Sequence, residues 1–125
     1  MNDPVRSARR QRRAVIGLVL VSTLGGGCAS ADGERVSVFL SAGTRQCEPA
    51  AADPMDAALQ RLAAAGVQAT APRCGHDGRI RAAMCGLSDG RILVVDVPGA
   101  MLDEARTLGW RPLAELPDAQ LRRCE

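Results

Sequence analysis

A chain of 125 residues has room for one domain, and its composition, 46% apolar and 24% charged, is typical of a globular protein. The formal net charge of +2 hides an asymmetry, because residues 1–27 hold five arginines and one acid, which leaves 11 arginines and 13 acids in residues 28–125. Aromatic residues make up only 2% of the chain. Without a basic stripe or a stacking surface, the sequence gives no support to nucleic-acid binding.

The N-terminus has the three parts of an export signal. Arginines dominate residues 6–13, residues 14–24 form an apolar run of eleven residues, and three glycines lead to Cys28. Such a run is typical of a signal peptide and is too short for a membrane-spanning helix, which needs about 20 residues. The segment resembles the bacterial lipoprotein signal, in which the cysteine that ends the lipobox is lipidated. The resemblance implies a signal peptide over residues 1–27 and lipid attachment, palmitate included, at Cys28.

A second cleavage site competes with this one. Ala29-Ser30-Ala31 has the small-x-small pattern that an ordinary signal peptidase recognises. Cleavage there would give a soluble secreted or periplasmic protein that begins at Asp32, without a lipid. The sequence leaves both sites open, and we expect the lipidated form.

Cleavage before Cys28 sets the expected organisation of the mature chain. A lipidated tether covers residues 28–35, a small domain covers 36–114, and a C-terminal tail covers 115–125. Ala29 follows the lipidated cysteine, and lipoproteins with this pattern are generally sorted to the outer membrane. The expected location is therefore the cell envelope, anchored by lipid and facing the periplasm.

The remaining cysteines predict covalent cross-links. An even number in an exported protein indicates two disulfides, and the sequence leaves all three pairings open. Phe39 and Trp110 are the only aromatic residues, so we expect a core of aliphatic side chains. About 2–4 kcal/mol from each bridge would then be a large part of the stability of so small a domain. The four cysteines are Cys47, Cys74, Cys85 and Cys124.

The first half of the domain predicts a strand, a helix and a second strand. Residues 36–41 are rich in β-formers and precede Gly43, where the strand should end. Asp53-Pro54 is a helix start, with Asp at the N-cap and Pro at the first helical position. Gly66 should close this helix as a left-handed C-terminal cap. Val67 then opens a strand that runs to about residue 71.

The second half repeats this order. Residues 91–97 form a near-continuous apolar run, which indicates a central strand. Pro98 should start the second helix, Gly109 should end it, and Trp110 should begin a short strand. Asp89-Gly90 is a hairpin signal that predicts a partner strand over residues 80–85. The alternative is a two-turn helix over residues 77–86, which would bring Cys74 close to Cys85.

Two β-α-β halves in about 80 residues predict an α+β domain. The expected fold is a small ferredoxin-like β-α-β-β-α-β sandwich, with two helices on one face of a mainly antiparallel sheet and disulfides as staples.

Three short motifs in the domain resemble a family of small uncharacterised proteobacterial envelope proteins, over roughly residues 36–113. The resemblance implies a compact exported domain and brings no catalytic residues with it. The motifs are Cys74-Gly75-x-Asp77-Gly78, Cys85-Gly86-x-x-Asp89-Gly90-Arg91-Ile92 and Ala105-x-x-Leu108-Gly109-Trp110-x-Pro112-Leu113.

Candidate metal and redox sites are weak. Cys74, His76 and Cys85 lie close in sequence, and Cys47 could complete a zinc set. Their spacing matches no common zinc motif, and exported cysteines are normally oxidised, so we expect neither a metal nor a cofactor. No Cys-x-x-Cys motif is present to give a reactive thiol.

Candidate catalytic residues are weak as well. His76 is the only histidine and lies between glycines on a segment expected to be an exposed loop. No serine has the context of a nucleophile, so we predict no catalytic residue and a protein that is not an enzyme. Asp96, a charge within the most apolar strand, should meet solvent or a cross-strand arginine at the sheet edge.

The expected function is that of an exported, lipid-anchored envelope protein that acts as a non-enzymatic binding or structural module. Its expected partners are the membrane, through Cys28, and another envelope component, either a protein or peptidoglycan. The alternative function is a peptidoglycan-binding module, because the β-α-β-β-α-β plan resembles that of sporulation-related repeat domains, which bind glycan strands. Residues 36–39 lack the Gln and Gly with which that family opens.

Overall fold

The computed structural model describes residues 33–49 and 54–124. Within these residues the chain forms five strands and two α-helices. The strands are β1 (Arg35–Ser41), β2 (Thr70–His76), β3 (Arg91–Pro98), β4 (Arg111–Pro112) and β5 (Gln120–Arg122), and the helices are α1 (Pro54–Ala64) and α2 (Leu102–Thr107). The signal peptide, Cys28, the alternative cleavage site and the helix cap at Asp53 lie outside the described residues.

The strands form one antiparallel sheet in the order β4-β1-β3-β2-β5. The predicted α+β class, the two helices and the antiparallel sheet are therefore confirmed. The ferredoxin-like topology is not confirmed, because the described sheet has five strands and β5 forms the edge next to β2. Strand β3 lies at the centre, as its apolar run predicted.

Both helices pack on one face of the sheet. Alternate residues of β1 and β3 point to this face, and Met55, Leu62 and Ala105 cover them from the helices. Trp110 is 1% exposed in the same cluster, so the larger of the two aromatic side chains is part of a core otherwise built from aliphatic residues. The buried sheet residues of the cluster are Val38, Leu93, Val95 and Val97.

The C-terminal segment covers part of the opposite face. Ile92 and Val94 are buried there against Leu116, with Phe39 packed beside them. The guanidinium of Arg111 lies 5.9 Å from the centroid of the Phe39 ring, within the range of a cation–π contact. Because β3 is buried on both faces, its sequence is apolar at successive positions rather than at alternate ones.

Helix α1 ends as the sequence predicted. Gly66 has a φ of 75°, in the left-handed region, and the amide of Val67 donates to the carbonyl of Leu62 at 2.9 Å. This six-residue closure is a Schellman cap. Val67 is buried at this cap rather than opening a strand, so the second strand begins at Thr70 and not at Val67.

Strand β2, not residues 80–85, is the hairpin partner of β3. Cys74 pairs with Leu93, Gly75 with Ile92 and His76 with Arg91. The predicted strand over residues 80–85 is therefore wrong, and so is the alternative helix over 77–86. The physical reason is that residues 82–88 bond to residues 45–47, just after the C-terminal end of β1, instead of folding back onto β3.

Two disulfides join the four cysteines of the described chain. Cys47 is bonded to Cys85 and Cys74 to Cys124, with Cα–Cα distances of 5.1 and 4.9 Å. The predicted number of bridges is confirmed, and the pairing that the sequence left open is settled. The second bridge ties residue 124, in the segment expected to be a tail, to strand β2.

Candidate functional site

The connection between β2 and β3, residues 77–90, is the most distinctive surface feature, and we call it the stapled loop. Gln46 makes hydrogen bonds to this loop that a neighbouring strand would otherwise make. The side-chain amide of Gln46 donates to the carbonyl of Ala82 at 3.0 Å, and its side-chain oxygen accepts from the amide of Met84 at 3.0 Å. The backbone of Gln46 bonds to Gly86 and Leu87 at 3.0 and 2.9 Å. The Cys47–Cys85 bridge follows directly in the chain and fixes this pairing covalently.

A partly buried ion pair closes the base of the stapled loop. Asp77 is 9% exposed, and both of its carboxylate oxygens accept from the guanidinium of Arg81, one of them at 2.7 Å. The amide of Arg79 donates to the same carboxylate at 3.1 Å. The hydrogen bonds from Arg81 are the main reason why the pKa of Asp77 is lowered to about 2, although burial opposes the shift. The pair is therefore charged throughout the physiological range.

His76 is exposed, as expected, but it is the last residue of β2 rather than a loop residue, and both of its ring nitrogens are bonded. Nδ1 accepts from the amide of Gly78 at 3.2 Å, and Nε2 lies 2.8 Å from the carbonyl oxygen of Asp89. Because a carbonyl only accepts, Nε2 is the donor in the contact with Asp89. The imidazole therefore links the two ends of the stapled loop.

Asp89 forms the turn that leads into β3. One carboxylate oxygen accepts from the hydroxyl of Thr44 at 2.6 Å and from the amide of Arg91 at 3.0 Å. The other oxygen pairs with Nε of Arg91 at 3.2 Å. Burial raises the pKa of Asp89, but the bond from Thr44 and the amide and charge of Arg91 outweigh it and lower the pKa overall.

The stapled loop presents large apolar side chains to solvent. Ile80 is 101% exposed, Met84 is 60% exposed and Leu87 is 42% exposed. Apolar side chains on a backbone held by an ion pair, a disulfide and side-chain hydrogen bonds can bind a partner at a low cost in conformational entropy. This loop is therefore the candidate binding surface of the domain.

The stapled loop and the start of β1 lie at opposite ends of the sheet. Arg35 pairs with Pro98 at the end of β3, whereas Ser41 pairs with Ile92 near its beginning. The stapled loop enters β3 at Arg91, next to Ile92. At about 3.3 Å per residue, the seven residues of β1 separate the two ends by roughly 20 Å. Any attachment at the N-terminus therefore leaves the loop at the far end of the domain.

A shallow cavity of about 420 Å³ lies beside the base of the stapled loop, where β2, β3 and β5 meet. It is lined by Gly75, His76, Asp89, Arg91, Gln120, Leu121 and Arg122. Of these residues, only His76 was considered in the sequence analysis as a catalytic or metal-binding candidate.

The structure places the remaining candidates as structural groups. The three cysteines considered as zinc ligands, Cys47, Cys74 and Cys85, are all bonded in disulfides, so their thiolates are not free to bind a metal. In residues 33–49 and 54–124, no three or more His, Cys, Asp or Glu side chains are grouped so as to hold a metal ion. Asp96 accepts from Arg73 at 2.5 Å and from Ser37 at 2.6 Å. The expected cross-strand arginine is therefore present, but Asp96 lies on the central strand β3, so the pair is not at the sheet edge.

Sequence reasoning missed the residues that organise the stapled loop. Asp77 and Arg81 have the i,i+4 spacing of a side-chain pair, a usable signal that the predictions of a strand over 80–85 and a helix over 77–86 did not take into account. Gln46 carried no signal, because its partners lie 36 to 42 residues further along the chain. Gln120 and Arg122 were hidden because the segment that contains them showed no strand pattern.

Comparisons with models of protein families, with curated proteins and with solved structures find no match to this chain. None of the helices in the described residues has the length and the apolar character needed to cross a membrane.

Proposed function

We propose that this protein is exported, anchored in the cell envelope by a lipid on Cys28, and serves as a non-enzymatic binding module. The apolar run that ends in three glycines before Cys28 supports the anchor. The two disulfides support export, because such bonds form and persist in oxidising compartments. The other four cysteines of the sequence are paired with one another, which leaves Cys28 available for a lipid.

The observation that carries the binding role is the position of the stapled loop. A lipid on Cys28 holds the chain from the N-terminal side, and Arg35 is the first residue of β1. Ile80, Met84 and Leu87 are then displayed at the end of the domain that faces away from the membrane. We infer that they bind another envelope protein, since exposed apolar groups on a preorganised backbone are typical of protein interfaces.

Photo-crosslinking in intact cells tests the partner. A photoreactive residue at position 80 should give one discrete protein adduct, and replacing both Met84 and Leu87 by Ser in the same chain should abolish it. Position 104, on the exposed side of α2, is the matched control and should give no such adduct. An adduct that survives the double replacement, or that forms equally from position 104, would contradict a binding role for the loop.

Intact mass of the mature protein tests the anchor. The expected product begins at Cys28, carries acyl chains, incorporates a palmitate analogue in growing cells and loses the label in the Cys28→Ser variant. Masses taken with and without reductant should differ by the four hydrogens of two disulfides. An unlabelled product that begins at Asp32 would replace this proposal with the soluble secreted alternative.

We further infer that β1 to β4 and the two helices form a ferredoxin-like unit to which β5 is added. The element order β1-α1-β2-β3-α2-β4 and the order β4-β1-β3-β2 within the sheet support this inference. The same plan keeps peptidoglycan as a second candidate partner, through the resemblance to glycan-binding repeat domains. Co-sedimentation with purified sacculi tests it, and a protein that stays in the supernatant would remove this candidate.

A further inference from the structure

The cavity beside the stapled loop gathers hydrogen-bond donors from three strands. His76 pairs with Arg91 on one side and with Gln120 on the other. Directly paired residues of neighbouring strands project from the same face, and Arg122, two residues after Gln120, shares that face. The side chains of Arg91, Gln120 and Arg122 therefore line one side of the cavity together.

Most of these donors are not used within the described residues. Nε of Arg91 pairs with Asp89, but its two terminal nitrogens have no hydrogen-bond partner in residues 33–49 and 54–124. The guanidinium of Arg122 and the side-chain amide of Gln120 likewise have no partner in the part of the chain that the structure describes. The cavity thus offers several N–H groups and few competing acceptors.

The charges of the cavity leave one positive charge unbalanced. Arg91 and Arg122 are both cationic, whereas Asp89 is the only acid among the lining residues. A ligand with a single negative charge would therefore neutralise the site, whereas a dianionic phosphate would leave an excess of negative charge beside Asp89.

The face that carries these donors is open. Leu121 pairs with Gly75, so its side chain projects from the opposite face of the sheet and does not cover Arg91 or Arg122. We propose that the cavity binds the carboxylate of a peptide C-terminus through the terminal nitrogens of Arg91 and Arg122. Paired N–H groups of a guanidinium match the two oxygens of a carboxylate.

The position of Arg122 depends on two features of the fold. A Cβ at position 75 would lie 2.5 Å from the carbonyl oxygen of Gln120, so glycine is needed for β5 to approach β2. The Cys74–Cys124 bridge then holds the chain two residues after Arg122. The cavity is therefore built before any ligand arrives, which lowers the entropic cost of binding.

NMR titration of the folded domain with acetyl-Ala-Ala tests the proposal. The free carboxylate form should shift the amides of Gly75, His76 and Gln120 in a saturable way, and the same peptide with a C-terminal amide should not. Arg122→Gln should weaken binding about tenfold or more, because it removes a charge-assisted hydrogen-bonding pair. Arg123→Gln makes the same change one residue later, outside the cavity lining, and should bind as tightly as the unmodified chain.

Three outcomes would overturn the proposal. Equal shifts with the peptide amide would show that the carboxylate is not recognised. Unchanged affinity in a folded Arg122→Gln protein would remove the cavity from the interaction. Tighter binding of inorganic phosphate than of the carboxylate peptide would assign the site to a different anion. None of these results affects the photo-crosslinking expected from position 80, so the binding role proposed for the stapled loop is tested independently of the cavity.

Discussion

Asp77 is a carboxylate that the fold buries to 9% exposure, at the point where β2 gives way to the stapled loop. Its burial costs free energy, which the two hydrogen bonds from Arg81 and the amide of Arg79 offset. Residues 77–81 therefore form a short turn whose two ends are joined by a charged pair. This closure, rather than any helix or strand, determines the path of the chain as it leaves the sheet.

The lowered pKa of Asp77 predicts a pH dependence of stability. The pKa falls from 3.8 to about 2 on folding, and at 1.36 kcal/mol per unit this shift is worth about 2 kcal/mol. For a lowered carboxylate pKa, this stability is fully present above pH 4–5 and is lost as the pH falls through the folded value. Urea unfolding should therefore show Asp77→Asn to be about 2 kcal/mol less stable than the unmodified chain at pH 6, with the gap closing near pH 2.

Asp103→Asn provides the control for this experiment. Asp103 also pairs with an arginine, Arg106 at 3.1 Å, but its side chain is 94% exposed. Exposed pairs contribute little, so the replacement should leave stability unchanged at either pH. A gap between Asp77→Asn and the unmodified chain that does not depend on pH would contradict the role given to the charged pair.

Alanine at two glycine positions of the stapled loop distinguishes the cost of backbone strain from the cost of close packing. Gly78 and Gly86 have φ values of 75° and 84°, so alanine at either position costs about 1 kcal/mol from the left-handed backbone. A Cβ at position 86 meets nothing within 4 Å, whereas one at position 78 would overlap the carbonyl of Asp118. We expect Gly86→Ala to cost about 1 kcal/mol and Gly78→Ala about 3 kcal/mol of unfolding free energy.

Chemical denaturation measures both costs, and hydrogen exchange in β5 distinguishes their origin. Only Gly78→Ala should speed exchange near Gln120, because only that residue lies against the turn that precedes β5. Equal costs for the two alanines would mean that the close approach to Asp118 does not contribute to stability.

At the scale of the elements, one segment extends the sheet beyond β2 and another holds the stapled loop. Strand β5 pairs with residues 74–76 of β2, and the segment before it covers Ile92 and Val94. Residues 44–47 pair with the stapled loop. Each added segment carries one disulfide, so each bridge reinforces a contact that is also hydrogen-bonded.

Removing either disulfide should therefore lower the stability of the whole domain by a similar amount, but the two removals should expose different amides to exchange. They close loops of 38 and 50 residues, and since loop-closure entropy depends on the logarithm of length, removing either should cost about 2–4 kcal/mol. In hydrogen exchange, Cys47→Ala with Cys85→Ala should expose the amides of Met84 and Leu87. Cys74→Ala with Cys124→Ala should expose those of β5 and leave the stapled loop protected.

Hydrogen exchange monitored by mass spectrometry on the double variants provides the measurement. The matched pair of variants controls for the general loss of stability, because each serves as the reference for the other. The local assignment would be wrong if both variants lost protection throughout the domain to the same extent.

The elements that the sequence predicted well are those whose signals are local. Pro54, Gly66 and Gly109 mark helix ends through their own backbone preferences, and the two glycines have positive φ values. Strand β3 was recognisable because both of its faces are buried. Strand β2 was misplaced because it contains Pro72, which the sheet accommodates at a register shift between Thr70 and Arg73.

The candidate sites could not be predicted in the same way. Residues 80–85 look like a strand because Ile80 and Met84 are apolar, yet these side chains point to solvent. What holds this segment is Gln46 and a disulfide to Cys47, both contributed by a region more than 30 residues earlier. The cavity depends on β5, whose three residues pair only because Gly75 and the Cys74–Cys124 bridge bring them to β2.

At the scale of the whole molecule, the sheet has two distinct ends. Glu34 and the end of β3 meet at one end, where the carbonyl of Glu34 accepts from the amide of Gly99 at 2.9 Å. The stapled loop and the cavity share the other end. A chain held by a lipid on Cys28 has at most six residues, Ala29 to Glu34, between the anchor and β1. The proposed lipid anchor would therefore keep the Glu34 end nearer the bilayer on average.

Energy transfer from the protein to the bilayer tests this orientation. A fluorescent residue at position 34 or at position 80 is introduced into the lipidated protein, which is then bound to vesicles that carry an acceptor lipid. Because roughly 20 Å of strand separates the two ends, transfer should be clearly stronger from position 34. The Cys28→Ser protein with either label should show no transfer. Equal or stronger transfer from position 80 would mean that the loop faces the membrane, and its apolar side chains would then have to be assigned to lipid instead of to a protein partner.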